Sequence, residues 1–359
     1  MSQINKLTIK GYKSIKLLEE FPLNNLNVLI GANGAGKSNF IGIFKLLNEI
    51  YEQRLQVYVQ KQGGPDALLH FGRQSTENIH AEFYFYRNGY KFDLIPTNDN
   101  RLIFDREVSW FRGVFFDSSP NAVIGMGNTE SNLKDAKDKY SPYVRDSIKA
   151  WRVYHFHDTS ETAKVKQIHS INDNLILKPD AANLAAYLLM LKENYNTYYL
   201  RIVQHIRLVL PFFDDFLLRE SNGNIQLEWL HKNSSDTPLK AHLLSDGSLR
   251  FICLATLLLQ PETLLSDTVL IDEPELGLHP SAITILADIV TQASENRQLI
   301  ISTQSVELVN QFEPNDIIVV NQNEGVSTFE RLDNESLEGW LEEYTLGELW
   351  KKNVFGGRP

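Results

Sequence analysis

The sequence predicts an α/β fold with a mixed sheet, and three stretches carry that prediction. Gly31–Ser38 reads GANGAGKS between an apolar strand and an amphipathic helix, Val269–Glu273 reads VLIDE, and Ile79–Ile95 alternates apolar and polar residues around Asn88-Gly89. The first two are the parts of a phosphate-binding α/β core. The third is an antiparallel insertion that a simple alternating βα fold would lack.

Gly31, Gly36, Lys37 and Ser38 fit the spacing G-x-x-x-x-G-K-[ST],. The strand Leu26–Ile30 precedes this loop, and Phe40, Ile43, Phe44, Leu47, Ile50, Tyr51, Leu55 and Tyr58 follow it at helical spacing,. A loop joining a strand to a helix N-terminus turns its N–H groups inward, and the helix dipole favours an anion there. Asn33, Gly34, Gly36, Lys37 and Ser38 are the candidate phosphate-binding residues. Lys37 would be aimed at the β- and γ-phosphates, and the Ser38 hydroxyl would hold Mg²⁺.

A chain of 359 residues, 43% of them hydrophobic, can bury one large core or two ordinary ones,. No basic segment followed by an apolar one stands at the N-terminus. No apolar run approaches the roughly 18 residues of a membrane span, so a cytoplasmic protein with no membrane partner is expected,. The single Cys253 excludes an internal disulfide and a cysteine-based zinc cluster,. Net charge is -10 but uneven: residues 261–359 carry 18 acids against 5 bases, which leaves +3 for the first 260. That balance argues against a surface that binds nucleic acid all over, while a local basic stripe stays open.

In chain order, Ile4–Ile15 alternates as a half-buried strand, and a second strand enters the loop,. Beyond the helix, Ile79–Tyr86 and Tyr90–Ile95 are expected to pair about an Asn88-Gly89 turn, with more strand from Leu102 to Phe116,. Residues 117–132 read as loop, and Asp135–Ala150 as helix with Pro142 a break or a new start,. Trp151–Asp158 reads as a strand with His155 and His157 on one face,. Two readings fit those histidines and Asp158: a metal site, or a strand end whose polar tip faces a nucleotide. The absence of an identified further ligand favours the second. Helices are expected from an N-cap at Asp180 to Leu210, then a hairpin over Phe216–Leu230 about Asn222-Gly223, then a polar stretch from His231 to Pro238,. No heptad run appears, and the 86 residues from Thr159 to Leu244 are too few for a long coiled-coil arm and its return.

Leu244–Arg250, LSDGSLR, opens an apolar helix through Leu259, on which Leu249, Phe251, Cys253, Leu254 and Leu257 are expected to face the core. About twenty residues later Val269–Ile271 is a buried strand ending in two carboxylates. Asp272 would hold the metal of a Mg²⁺-nucleotide, and Glu273 would orient or deprotonate the attacking water.

At these residues the chain resembles a known family. LSDGS looks like a variant of the ABC-type signature, and VLIDEPELGLHP looks like the Walker B and D-loop of the RecF/SMC-like and OLD-like ABC ATPases. GYKSI followed by NVLIGANGAGKSNF has the same look, as does Leu299–Ser305, LIISTQS, for the switch strand. The resemblance covers nearly the whole chain, ELGELWKKNVFGGRP included, and is strongest to stand-alone predicted ATPases of the AAA_21 type. It implies a P-loop NTPase with an ABC-type ATPase head. Lobe I would take residues 1–158 and 261–359 with the antiparallel subdomain, and lobe II, helical, residues 159–260. In such heads two molecules sandwich two ATPs, Ser245 and Gly247 of one touching the γ-phosphate held by Lys37 of the other. A signature helix N-terminus is itself an anion site, which would sense that phosphate.

The chain departs from the pattern in two places. Gln304 stands where transporters usually have a switch histidine, and an amide can hydrogen-bond a phosphate or water but cannot carry a proton, so hydrolysis is expected to be slow. A Q-loop glutamine is not evident after Phe156, where His157 and Asp158 stand as candidates near the nucleotide. His279 in the D-loop reads as a dimer-contact or structural residue. Three functions follow: a DNA-associated ATPase in repair or in defence against mobile DNA, a nucleotide-controlled switch on a separately encoded effector, and a transporter subunit. DEPELGLHP and the missing signature glutamine speak against the last. OLD-like relatives carry a C-terminal Toprim nuclease. Only 39 residues follow Val320, so another chain is expected to supply any nuclease chemistry.

Overall fold

The structure, a computed structural model, describes residues 3–112, 120–149 and 151–358. Expectations that fall on residues 113–119, 150 and 359 lie outside the described residues. The chain divides into two compact units, residues 1–151 with 314–359, and residues 152–313. These units do not coincide with the two lobes that the resemblance implies.

In the first unit, the strand Lys6–Tyr12 pairs antiparallel with Ile15–Pro22 on one side and with Ile79–Phe85 on the other. Asn88–Pro96, Leu102–Phe111 and Asn121–Gly125 extend that sheet strand by strand, all antiparallel. Alternate residues of Ile79–Phe85 are buried, the pattern of a sheet with one packed face,. The loop helix Lys37–Tyr51 lies on this face: the Phe44 ring is 6.2 Å from Phe83 and 5.8 Å from Trp151. On another side, Phe40 meets Phe329 at 5.4 Å. Phe329 belongs to Val326–Arg331, which pairs with Ile317–Asn323, itself parallel to the fully buried Leu26–Ile30 that feeds the loop. Aromatic packing thus fixes the helix whose N-terminus carries the phosphate loop.

Four expectations for this unit are corrected. The helical face is split, Lys37–Tyr51 and then Leu55–Lys61, because Gln53 adopts φ 55°. The hairpin turns at Tyr86-Arg87, since Phe85 pairs with Asn88 and Tyr84 with Gly89. Gly89 serves the strand instead: a Cβ there would fall 2.0 Å from the Trp110 ring. Part of the expected loop is the edge strand Asn121–Gly125, and of the expected helix from Asp135 only Ser141–Lys149 is helical among the described residues, the new start at Pro142, where Asp138 accepts from the N–H groups of Tyr140 and Ser141.

The second unit carries the parallel pair Thr268–Asp272 and Gln298–Ser302, the acid strand and the switch strand, joined through the helix Pro280–Ser294. The signature helix Asp246–Leu259 packs on that helix and on Asn196–Val209. The core-facing set on the signature helix, Leu249, Phe251, Cys253, Leu254 and Leu257, is buried as expected. Helices begin at Leu184, after an Asn183 whose side chain bonds the preceding loop and not the helix, and not at Asp180, which accepts the Lys164 ammonium and the Ala182 N–H. Asn222-Gly223 does turn the chain, with both residues at positive φ, but it joins Ser221 to Asn224, while Phe213–Phe216 pairs with Glu228–His231. The polar stretch after His231 contains a strand, Ser234–Lys240, that completes this small antiparallel sheet. No described helix exceeds 15 residues, about 22 Å, so no long coiled-coil arm is present among them,.

Candidate nucleotide site

The loop sits between a strand of five buried residues and a helix whose first turn holds no acid and whose cap Gly36 makes no side-chain hydrogen bond. The leading N–H groups of that helix are therefore not blocked by its own side chains. Asn33, Gly34 and Ser38 are exposed, while Lys37 is buried and its Nζ returns along the loop to donate to Gly31 O at 2.5 Å and Ala32 O at 3.1 Å. This folds the ammonium back onto the first two carbonyls of the loop. Gly36, at φ 120°, admits no side chain, since a Cβ would lie 2.1 Å from Ser327 Oγ.

Ser327 is 1% exposed and lies 2.5 Å from Ala35 O and 2.7 Å from Ser14 Oγ. A carbonyl only accepts, so the Ser327 proton goes to Ala35 and the Ser14 proton to Ser327, while Asn39 Nδ2 donates to Ser14 Oγ at 2.7 Å,. Two serines far apart in sequence thereby hold the loop from behind. The C-terminal segment adds another support. Gly357 N donates to Asn321 Oδ1 at 2.5 Å, the buried Trp350 Nε1 donates to Gly357 O, and a Cβ on Gly357 would lie 3.6 Å from Gly31 Cα. None of Ser14, Ser327, Asn321 or Trp350 was singled out from sequence; Ser14 in GYKSI and Trp350 in ELGELWKKNVFGGRP lay within quoted stretches.

In the second unit, Asp272 ends the acid strand opposite Ser302, whose hydroxyl donates to Asp272 Oδ1. Glu273 follows at φ 44°, its N–H donating to Ser302 O at 2.9 Å. Gln304 Nε2 reaches Glu273 Oε1 at 2.5 Å. The acid strand and the switch strand thus bring the two candidate catalytic side chains together. Glu275, to which no role was assigned from sequence, accepts from Thr303 Oγ1 at 2.6 Å and from Gln304 N at 3.0 Å, both through Oε1.

Ser245 and Gly247 open the signature helix. Ser245 Oγ accepts from Ser248 N at 3.2 Å, an N-cap within its own helix, and Asp246 adds an acid to the first turn,. A Cβ on Gly247 would meet Gly277 O at 2.1 Å, so only glycine lets the signature helix approach the D-loop this closely. Arg250 seals that approach, donating to Leu276 O at 2.8 Å, His157 O at 3.0 Å and Phe156 O at 3.3 Å.

The strand before the histidines ends at Tyr154, so His155 and His157 lie beyond it and do not share a strand face. Their rings sit 6.2 Å apart, and His157 Nε2 donates to the Asp272 carbonyl at 2.7 Å, which fixes its tautomer,. Asp158 caps a turn by accepting from Ser160 N and Oγ, and these bonds hold its carboxyl below the usual range. Among the described residues no group of three His, Cys, Asp or Glu side chains is placed to hold a metal ion. His279 caps the helix Pro280–Ser294 by accepting from Ser281 N at 3.3 Å.

A family model described as "AAA domain, putative AbiEii toxin, Type IV TA system" matches residues 26–310, from the loop strand through the switch strand. The chain belongs to this family, AAA_21. Among solved structures, this AAA_21 chain is similar to the SmcHead bound to the C-winged helix domain of ScpA, with TM-score 0.59 and 16% identity over 94% of this chain and 99% of that one. It is also similar to an Smc head domain with an extended coiled coil bound to the C-terminal domain of ScpA, derived from Pyrococcus furiosus, with TM-score 0.53 and 16% identity over 95% and 98%. A third, an Smc head domain with a coiled coil and joint derived from Pyrococcus yayanosii, gives TM-score 0.53 and 12% identity over 95% and 99%. No curated protein matches the sequence. The fold is that of an ABC-type, SMC-like ATPase head, and the AAA_21 chain is a nucleotide-binding ATPase. No described helix is long and apolar enough to cross a membrane.

Proposed function

We propose that this AAA_21 protein is an ATP-hydrolysing head that closes as an ATP-sandwich dimer and acts in DNA repair or in defence against mobile DNA. The observation that carries the hydrolytic reading is the Gln304–Glu273 hydrogen bond beside Asp272. A donor on Oε1 keeps the Glu273 carboxylate oriented and leaves the other oxygen to take a proton from water,. Gln304 orients without transferring a proton, so turnover is slow. Lys37 would pair with the β- and γ-phosphate oxygens, and Asn33, Gly34 and Gly36 would present the loop backbone to them.

The donor set fits Mg²⁺: the Ser38 hydroxyl and the Asp272 carboxylate are hard oxygen ligands, and Ser302 occupies one Asp272 oxygen only, as far as the described hydrogen bonds go,. Bound Mg²⁺ would supply charge neutralisation on the phosphates. Ser245 and Gly247 would meet the γ-phosphate held by the other chain. In this reading residues 159–260 act as the signature lobe and the remainder as the nucleotide lobe.

A second reading is a nucleotide-controlled switch on a separately encoded effector. Two findings favour it: the family description names a putative toxin of a toxin–antitoxin system, and similar heads were solved bound to ScpA. Stimulation of hydrolysis by DNA separates the readings. A rate that DNA leaves unchanged, with a co-purifying protein instead, favours the switch.

Light scattering with ATP and Mg²⁺ tests the dimer. Glu273→Gln keeps shape but removes the proton acceptor, so it should slow hydrolysis by about 100-fold or more and hold a dimer that wild type forms only transiently. Ser245→Arg should block assembly while leaving ATP affinity unchanged. A monomeric Glu273→Gln protein, or normal assembly of Ser245→Arg, would overturn the sandwich. Assembly indifferent to nucleotide would replace it with a constitutive oligomer.

A further inference from the structure

The Glu275 carboxylate is unusual in how little of it is used. Oε1 accepts two hydrogen bonds, from the Thr303 hydroxyl and the Gln304 backbone N–H, while Oε2 is sealed from solvent with no hydrogen-bond partner among the described residues. A buried carboxylate oxygen with no donor is costly, and burial does push the Glu275 carboxyl above the usual range against the pull of those donors,. An apolar side chain would avoid that cost but supply no acceptor, so the acceptor at Oε1 has to justify the residue.

Following the bonds outward shows what Oε1 does. The switch strand ends at Ser302, and Thr303, Gln304 and Ser305 leave it without regular structure before a short helix starts at Val306. Thr303 Oγ1 also accepts from Ser305 N at 3.0 Å, so this hydroxyl joins Glu275 to the turn into that helix. The same three residues carry Gln304, whose amide bonds Glu273. Glu273 and Glu275 flank the buried Pro274, which limits the backbone freedom between them,. The two carboxylates therefore grip one residue from both sides, Glu275 by its backbone and Glu273 by its side chain.

We propose that Glu275 is a positioning residue for hydrolysis, anchoring the backbone of Gln304 so that its amide is delivered to Glu273. The inference rests on the hydrolytic reading above and adds a residue that neither touches nucleotide nor transfers a proton. A misplacement of about 1 Å in an orienting group is enough to slow a reaction markedly. Because Glu275 acts through Gln304, its removal cannot cost more than removal of the Gln304 side chain itself. The required chemistry is an acceptor at one position and no charge, so glutamine should serve.

The test measures kcat from steady-state phosphate release and ATP affinity by calorimetry for wild type, Glu273→Gln, Gln304→Ala, Glu275→Ala, Glu275→Gln and the double variant Glu275→Ala/Gln304→Ala. Circular dichroism and thermal unfolding check that each is folded. Glu275→Ala and Gln304→Ala should each lower kcat by about threefold to tenfold with ATP affinity unchanged, and the double variant should be no slower than the slower single one. Glu275→Gln should restore kcat to within about twofold of wild type. Independent, multiplicative losses in the double variant would overturn the proposal, as would a Glu275→Gln protein as slow as Glu275→Ala. Should Glu275→Ala fail to fold, Thr303→Val removes one of the two donors and must lower kcat in the wild-type background but not in Gln304→Ala. Hydrolysis that survives Glu273→Gln at the wild-type rate would instead refute the underlying reading, and so the two failures are distinct.

Discussion

Two helix N-termini in this molecule are proposed phosphate sites, and they are built differently. The loop helix Lys37–Tyr51 has no side-chain cap and no acid in its first turn, and a lysine stands at its first position. The signature helix Asp246–Leu259 is capped by its own Ser245 and carries Asp246 in its first turn. The first terminus keeps its donors and dipole for an incoming anion, whereas the second has already satisfied part of both internally. A phosphate at the second must displace a hydrogen bond and tolerate a carboxylate. In the proposed ATP sandwich, the difference would give tight binding of nucleotide by each chain alone and weak, transient closure between chains.

The most damaging way to break the comparison is to remove the cation that only the first terminus has. Lys37→Ala is expected to abolish ATP binding in calorimetry, because no other side chain of the loop carries a positive charge,. Retained affinity would mean that the loop is not the site. A milder change should bring the second terminus closer to the first. Asp246→Gly is expected to strengthen ATP-driven dimerisation by roughly twofold to fivefold, an effect of the dipole scale that should fade at high salt. Sedimentation at two ionic strengths reads it, and a weaker dimer would show that Asp246 makes a favourable contact across the interface. A comparable effect concerns the support behind the first terminus. Ser327→Ala removes the donor to Ala35 O, and an affinity loss of about fivefold, worth roughly 1 kcal/mol, is expected by isothermal titration,.

The phosphate loop was legible because its chemistry is local: each glycine, the lysine and the serine act within eight residues, and the flanking periodicities are local too. The acid strand was legible for the same reason, three apolar residues ending in two carboxylates. What escaped was fixed by chain segments far away. Ser14 and Ser327 are 313 positions apart, and no pattern in either neighbourhood announces the other. Glu275 stood in full view in DEPE, but its role depends on Thr303, 28 residues on and in register only because two parallel strands align. The Asn88-Gly89 turn was misplaced because Trp110, on the next strand, needs the room that a glycine leaves. The histidine pair lost its shared strand face because the strand stops at Tyr154, where the next N–H, that of His155, goes to Pro179 O. Local sequence encodes what a segment can do, and the neighbour decides whether it does so.

The clasp between Trp350, Gly357 and Asn321 behind Gly31 has a consequence for how the protein comes into being. A ribosome makes Ala35 of the loop 292 positions before Ser327, which braces it, and Asn321, Trp350 and Gly357 are comparably late. In the proposed reading nucleotide would therefore find no finished seat on the newly made loop, and could not act as a template for its early folding. Segments far apart in the chain have to meet before the braced loop matures.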